Sequence, residues 1–373
     1  MIKAGIRGSR AVGALVGRRR ALWVVVLVVA AQLGFVAWPA YACGCGGMVP
    51  SARSRIAVDR EVSAVRWDGR TEQIVMSLTV SGDAPEAAWI MPVPSRADVK
   101  LGDRKLFDEL EALAEPVPRE RTYFWPRDGD WPFDSSSDMA GAPPPSATAP
   151  PVDVVGRERL GPFDVARLTA TDPDALSGWL KKNGFALPER LSTELEPYVE
   201  REWEYVAVKL APEETGEGAA LGGTLDPLHL TFASDTLVYP MRLSRAATQP
   251  QSLGLYVLAP HRMEPRSAIG GERPEVTYAK RLTAGEQPGA VRKLAGGETY
   301  VTAVEQFFPR PQQIIGDHVL ARASSDEEFQ RVRYEGTLLR WGGMPAWLVT
   351  VGGALVVLAA GTTLLVRRER ARS

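Results

Sequence analysis

From Trp341 to Val366 the chain carries no charged side chain at all. No feature restricts the fold more. A helix buried in a globular core keeps a polar stripe, and this segment has none. At about 1.5 Å of rise per residue, Pro345–Val366 (PAWLVTVGGALVVLAAGTTLLV) matches the roughly 30 Å of a bilayer's hydrocarbon core. Trp341 and Trp347 stand where interfacial aromatics belong. Arg367, Arg368, Arg370 and Arg372 follow at once, which by the positive-inside rule predicts a cytoplasmic tail over residues 367–373. The segment 345–366 is therefore expected to be a transmembrane helix, with the lipid bilayer as its partner.

The other end predicts export. Lys3, Arg7, Arg10 and Arg18–Arg20 form a basic stretch free of acids, Ala21–Val36 is apolar, and Ala40-Tyr41-Ala42 offers small residues at the positions a signal peptidase reads. Residues 1–42 are read as a signal peptide cleaved after Ala42. An uncleaved anchor and a lipidated Cys43 are the alternatives. Export at one end and a stop at the other place residues 43–340 outside the cytoplasm, held on the cell membrane by a single pass. Setting the ends aside changes the charge. Of 44 basic and 45 acidic residues, ten bases and one acid lie in the ends, which leaves 34 and 44 and a net of −10. That sign disfavours nucleic acid as a partner.

Periodicity predicts an α+β ectodomain, rich in antiparallel strands with a few packed helices. Ile56–Trp67 and Gln73–Val80 flank Asp68-Gly69, a hairpin dipeptide. Ala87–Val93 reads as a third strand. Leu106, Phe107, Leu110 and Leu113 give Asp103–Ala114 helical spacing. Residues 128–151 combine four aspartates, a serine run and two proline clusters, and are expected to form a flexible acidic insertion. Thr171-Asp172-Pro173 opens a helix that Asn183-Gly184 closes, and Glu189–Glu200 forms another. Further strands are expected at Trp203–Leu210, Leu228–Phe232, Thr236–Leu243, Ser252–Leu258 and Tyr300–Phe307.

A set of spaced motifs carries a resemblance. Cys43-Gly44-Cys45 follows the signal segment. Trp89-Ile90-Met91-Pro92-Val93-Pro94, Gly161-Pro162-Phe163-Asp164, Leu176-Ser177-Gly178-Trp179-Leu180 with Asn183-Gly184, and Leu237-Val238-Tyr239-Pro240-Met241-Arg242-Leu243-Ser244 come after it. Together they resemble the bacterial family called domain of unknown function 2330, over roughly Cys43 to Val332. The resemblance implies an exported, often membrane-anchored protein and brings no catalytic residues with it.

Little chemistry can be read from the residues themselves. No HExxH, GxSxG, P-loop or GxGxxG stands in a suitable context, no cofactor is indicated, and His229, His261 and His318 are far apart. Cys43 and Cys45 are the only cysteines. A local disulfide and a labile redox pair both remain open for them, although one intervening residue is not the thioredoxin spacing. Asp128, Asp130 and Asp134 offer calcium an oxygen-rich loop. They lack the EF-hand glycine and closing glutamate, so a solvated acidic loop is the reading and no metal is expected. Tyr123, Phe124, Trp125, Trp131 and Phe133 cluster by the same loop and form the candidate binding surface, for an envelope protein, peptide or glycan. The function expected is a non-enzymatic binding or scaffold module at the cell envelope. A thiol–disulfide protein using Cys43 and Cys45, or an unrecognised hydrolase, is the alternative.

Overall fold

A computed structural model describes residues 42–43, 46–51, 54–127, 130, 163–168, 173–211 and 220–371. All of the expected signal segment before Ala42, Cys45, and most of the 128–151 insertion lie outside the described residues. The fold is β-rich and mostly antiparallel, with five α-helices among the described residues. The chain divides into two compact units, Met1–Glu111 with Glu158–Glu328, and Ala112–Arg157 with Phe329–Ser373.

In the first unit the large sheet runs in the order β15 (Glu275–Leu282), β16 (Thr299–Phe308), β13 (Gln251–Ala259), β3 (Ile56–Trp67), β4 (Thr71–Gly82), β11 (Leu228–Ala233) and β6 (Asp98–Leu101). Only the β13–β3 junction of this series is parallel. A short strand, β10 (Gly223–Thr224), also pairs with β4. The Asp68-Gly69 turn forms as its sequence predicts. Gly69 takes φ +97°, and Asp68 Oδ1 accepts the Arg70 and Thr71 N–H groups at 3.1 and 2.9 Å.

The smaller sheet runs β1 (Ala42–Cys43), β2 (Gly46–Pro50), β5 (Ala87–Val93), β9 (Glu204–Leu210) and β8 (Phe163–Leu168). β5 (AAWIMPV) is buried at every position, because the strand is covered on both faces. Pro92 is tolerated there because β2 pairs only with Ala87–Ile90 and ends before it. One face supplies Met48, Trp89, Met91, Val206 and Val208 to a core shared with Val65, Ile74, Met76, Leu230, Leu255 and Val257 of the large sheet. The opposite face packs Val49, Ala88, Ile90 and Ala207 against Leu176 and Leu180 of α2 (Pro173–Lys182) and Leu191, Leu195 and Tyr198 of α3 (Glu189–Val199). Gly184 caps α2 at φ +85°, with the Phe185 N–H reaching back to Leu180 O at 2.8 Å.

Two further helices cover the outer face of the large sheet. Ala64, Val75, Leu258 and Val301 are buried there, as are Leu106 and Leu110 of α1 (Lys105–Leu113) and Val291 and Leu294 of α4 (Gly289–Ala295). Arg66 of β3 donates to Ala295 O at 3.0 Å, and Glu109 Oε2 accepts the Ala290 and Val291 N–H groups at 2.8 and 3.0 Å. A carboxylate at the start of a helix satisfies donors that have no partner inside it. The unit is thus layered helix, sheet, sheet, helix. A three-stranded sheet of β12 (Val238–Tyr239), β17 (His318–Arg322) and β14 (Met263–Pro265) adds Tyr239, Met263 and Leu320 to the shared core.

One expected element differs. Thr236–Leu243 is not a single strand. Only Val238–Tyr239 pair, and Arg242–Ala246 turn as a 3₁₀ helix. Pro240 has no N–H to give, and the N–H groups of Met241 and Arg242 go to Asp317 Oδ1 at 2.9 and 3.1 Å, which bends the chain.

In the second unit β7 (Val117–Tyr123) pairs in parallel with β19 (Val332–Leu338), and β18 (Phe329–Gln330) precedes it. A hairpin of β20 (Arg340–Trp341) and β21 (Met344–Pro345) follows, turned by Gly342 and Gly343 at φ +56° and +86°. It leads directly into α5 (Ala346–Arg370), 25 residues with a mean hydropathy of 2.1 over its most apolar window and none of that window buried. This helix is long and apolar enough to cross a membrane. Its polar side chains turn inward on the backbone. Thr350 Oγ1 donates to Ala346 O at 3.1 Å and Thr363 Oγ1 to Ala359 O at 2.6 Å, so these hydroxyls are satisfied without water.

Candidate functional site

The expected binding surface begins at the end of β7. Tyr123 Oη donates to Asp130 Oδ2 at 2.6 Å, and the Arg127 N–H donates to the same oxygen at 2.9 Å. The Arg127 guanidinium lies over the Tyr123 ring, 4.1 Å from its centroid. The Tyr123 hydrogen bond, then the Arg127 N–H, hold the Asp130 carboxyl below its ordinary range. The same bond to Asp130 raises the Tyr123 hydroxyl above its own. Gly336 of β19 stands where a side chain would crowd the ring, its Cβ position only 3.0 Å from Tyr123 Cε1. Phe124 and Trp125 meet edge to face at 5.1 Å, and Trp125 is 64% exposed. Tyr123, Phe124, Trp125 and Asp130 thus form one latched corner. Trp131, Phe133, Asp128 and Asp134 lie outside the described residues. Among the described residues no group of three or more His, Cys, Asp or Glu is placed to hold a metal. The backbone of Cys43 is in β1, opposite Gly46.

Sequence reasoning missed a set of polar residues inside the first unit. Tyr239 Oη donates to Glu61 Oε1, and Ser63 Oγ bonds the same hydroxyl at 2.6 Å; all three residues are buried. A bulge at Val58–Arg60 explains the position of Glu61. It shifts the alternation of β3 by one, so even positions face the core before it and odd positions after it. Asp317 is a second hub, accepting the Tyr198 hydroxyl besides the two N–H groups named above. Burial first, then Asp317, raises the Tyr198 hydroxyl far above its ordinary range.

Glu72 is fully buried, and desolvation holds its carboxyl well above the carboxylate range despite the Val238 N–H that it accepts. His318 is 1% exposed with no hydrogen-bond partner on either ring nitrogen, and burial lowers it to about 4. The only legible signal for these groups was a polar residue standing in strand parity with apolar ones, as Glu72 stands with Ile74 and Met76.

Cavities lined by described residues open on this unit. One, of about 340 Å³, is lined by Arg60, Glu61, Gly254, Glu272, Arg273 and Glu305 among others. The second, of about 470 Å³, lies over α2 and α3 and includes Leu187, Leu195, Val199 and Tyr205. The Tyr205 hydroxyl donates to Leu195 O at 3.4 Å. Glu72, Tyr198 and His318 line neither of these cavities, whereas Tyr205, whose hydroxyl burial pushes up to about 12, lines the second. Their shifts express burial in the core.

The family model described as "Uncharacterized protein conserved in bacteria (DUF2330)" matches residues 39–321, and the chain belongs to that family. A comparison with curated proteins finds no match. Among solved structures the chain is similar to the crystal structure of baculovirus P35, at 10% identity and a TM-score of 0.31, over 72% of this chain and 98% of that one. A likeness of that degree carries no argument.

Proposed function

We propose that this chain is a single-pass, membrane-tethered module whose layered β domain lies outside the cytoplasm, where it binds or scaffolds an envelope component. The observation that carries the reading is α5, wholly exposed over its apolar window and closed by Arg367, Arg368 and Arg370. A helix that presents Leu and Val on every side is at home only in lipid. The basic residues at its end favour a cytoplasmic tail, and the basic, then apolar, then Ala-x-Ala order of residues 1–42 favours export of what lies between. The 340 Å³ cavity supports binding, because its carboxylates and guanidiniums suit a polar peptide or glycan. Glu61 borders it, but its Oε1 is engaged by the Tyr239 hydroxyl, which speaks against hydrolysis there.

Sidedness is tested by fusions. Alkaline phosphatase joined after Glu328 should be active, and a fluorescent protein joined after Ser373 should fold in the cytoplasm. The opposite pair of results refutes the orientation.

A further inference from the structure

The aromatic corner at Tyr123 lies in the same unit as α5, and the two are joined by hydrogen bonds without slack. The Leu339 N–H donates to Tyr123 O at 2.9 Å, and the Ala346 N–H, at the first residue of α5, donates to Leu339 O at 2.8 Å. Tyr123 and Ala346 lie far apart along the chain, yet one residue bridges them in space. Three large apolar side chains are left exposed around this junction: Trp125 at 64%, Trp341 at 48% and Met344 at 60%. The corner is also stiff. Asp130 holds the Tyr123 hydroxyl and the Arg127 N–H on one oxygen, and Arg127 stacks on the Tyr123 ring.

Length fixes the depth of this corner. The apolar part of α5, Ala346–Val366, spans about 30 Å, which is roughly the whole hydrocarbon core. The residues just before Ala346 must then sit at the level of the headgroups. Indole rings favour that zone, where one edge meets hydrocarbon and the N–H meets water or phosphate. Arginines beside them can reach headgroup phosphates while their stems stay apolar, and Arg127 and Arg340 occupy such places.

We propose that the Tyr123–Asp130 corner, with Trp125 and Trp341, is an interfacial foot that rests among the headgroups of the bilayer α5 crosses. The inference depends on α5 crossing that bilayer. It gives the aromatics at Tyr123–Trp125 a lipid partner, where the sequence alone suggested a glycan or peptide.

The test uses the full chain in phosphatidylethanolamine and phosphatidylglycerol nanodiscs. The probes are lipids brominated either near the headgroup end of the acyl chains or near their methyl end. Trp125→Phe should lower the fluorescence quenched by the shallow bromines by about one tryptophan's share and leave quenching by the deep ones unchanged. Trp179→Phe, in α2 of the first unit, should not reduce quenching by either. Shallow quenching that survives Trp125→Phe undiminished overturns the foot, and a drop on Trp347→Phe in the same discs shows that the helix is nonetheless inserted. If Trp347→Phe also changes nothing, both the foot and the membrane reading fall.

Discussion

At the scale of single residues, the interior of the first unit holds two groups that respond to pH in opposite senses. Glu72 keeps its proton in the folded state, because burial raises it well above its ordinary 4.5. The unfolded chain gives that proton up first, so stability falls as pH rises from about 4.5 toward the folded value. His318 is held neutral at about 4 against an ordinary 6.5, so the unfolded chain takes up its proton first. Its contribution is present above 6.5 and is lost as pH falls toward 4, by roughly 3 kcal/mol in all. Glu72→Gln should therefore flatten the loss of thermal stability as pH rises above about 4.5. His318→Leu, which keeps an apolar contact with Phe308, should flatten the acid side. Melting points of the two variants across the acid and alkaline ranges check both, and unchanged slopes would contradict the burial argument.

At the scale of elements, apolar strands closed by turn residues were legible. Ile56–Trp67 and Ala87–Val93 form with the bounds their patterns predict, and Asp103–Ala114 and Glu189–Glu200 form helices with nearly the expected ends. Elements fixed by distant partners were not. β7 (VPRERTY) is charged and exposed and carries no strand pattern, since its stability comes from β19. The turn after Tyr239 depends on Asp317, which lies 76 positions from Met241. The candidate site was legible only as a cluster of aromatics. Its latch on Asp130 and its link to Leu339 are tertiary.

Glycines give an element-scale test. Gly270 has φ +97°, and a Cβ there would sit 1.9 Å from Gln313 O; Gly69 has the same φ in open space. Gly69→Ala should cost only the left-handed strain, about 1 kcal/mol. Gly270→Ala adds a backbone clash and should cost several times more. Thermal melting of the pair checks the difference, and equal losses would contradict the clash.

At the scale of the whole molecule, the family assignment covers residues 39–321, while β19 and α5 lie beyond the edge of that match. Anchoring and the layered fold should therefore separate in experiment. A chain ending at Gly343 should move from the membrane pellet to the soluble fraction on cell fractionation; retention in the pellet would place the anchor elsewhere.

The parallel ribbon also sets an order of events during synthesis. Val117 pairs with Val332 and Tyr123 with Leu338, so β7 leaves the ribosome long before its partner exists. Through that interval it is an unpaired strand edge, the kind of surface that recruits other chains. Pro118, Arg119, Glu120 and Arg121 suit a strand that must wait, because proline and charge make a poor template for a stranger. β19 emerges one short hairpin ahead of α5, so the ribbon can close only as that helix is about to be made. The last long strand made thus closes the second unit just ahead of its apolar helix.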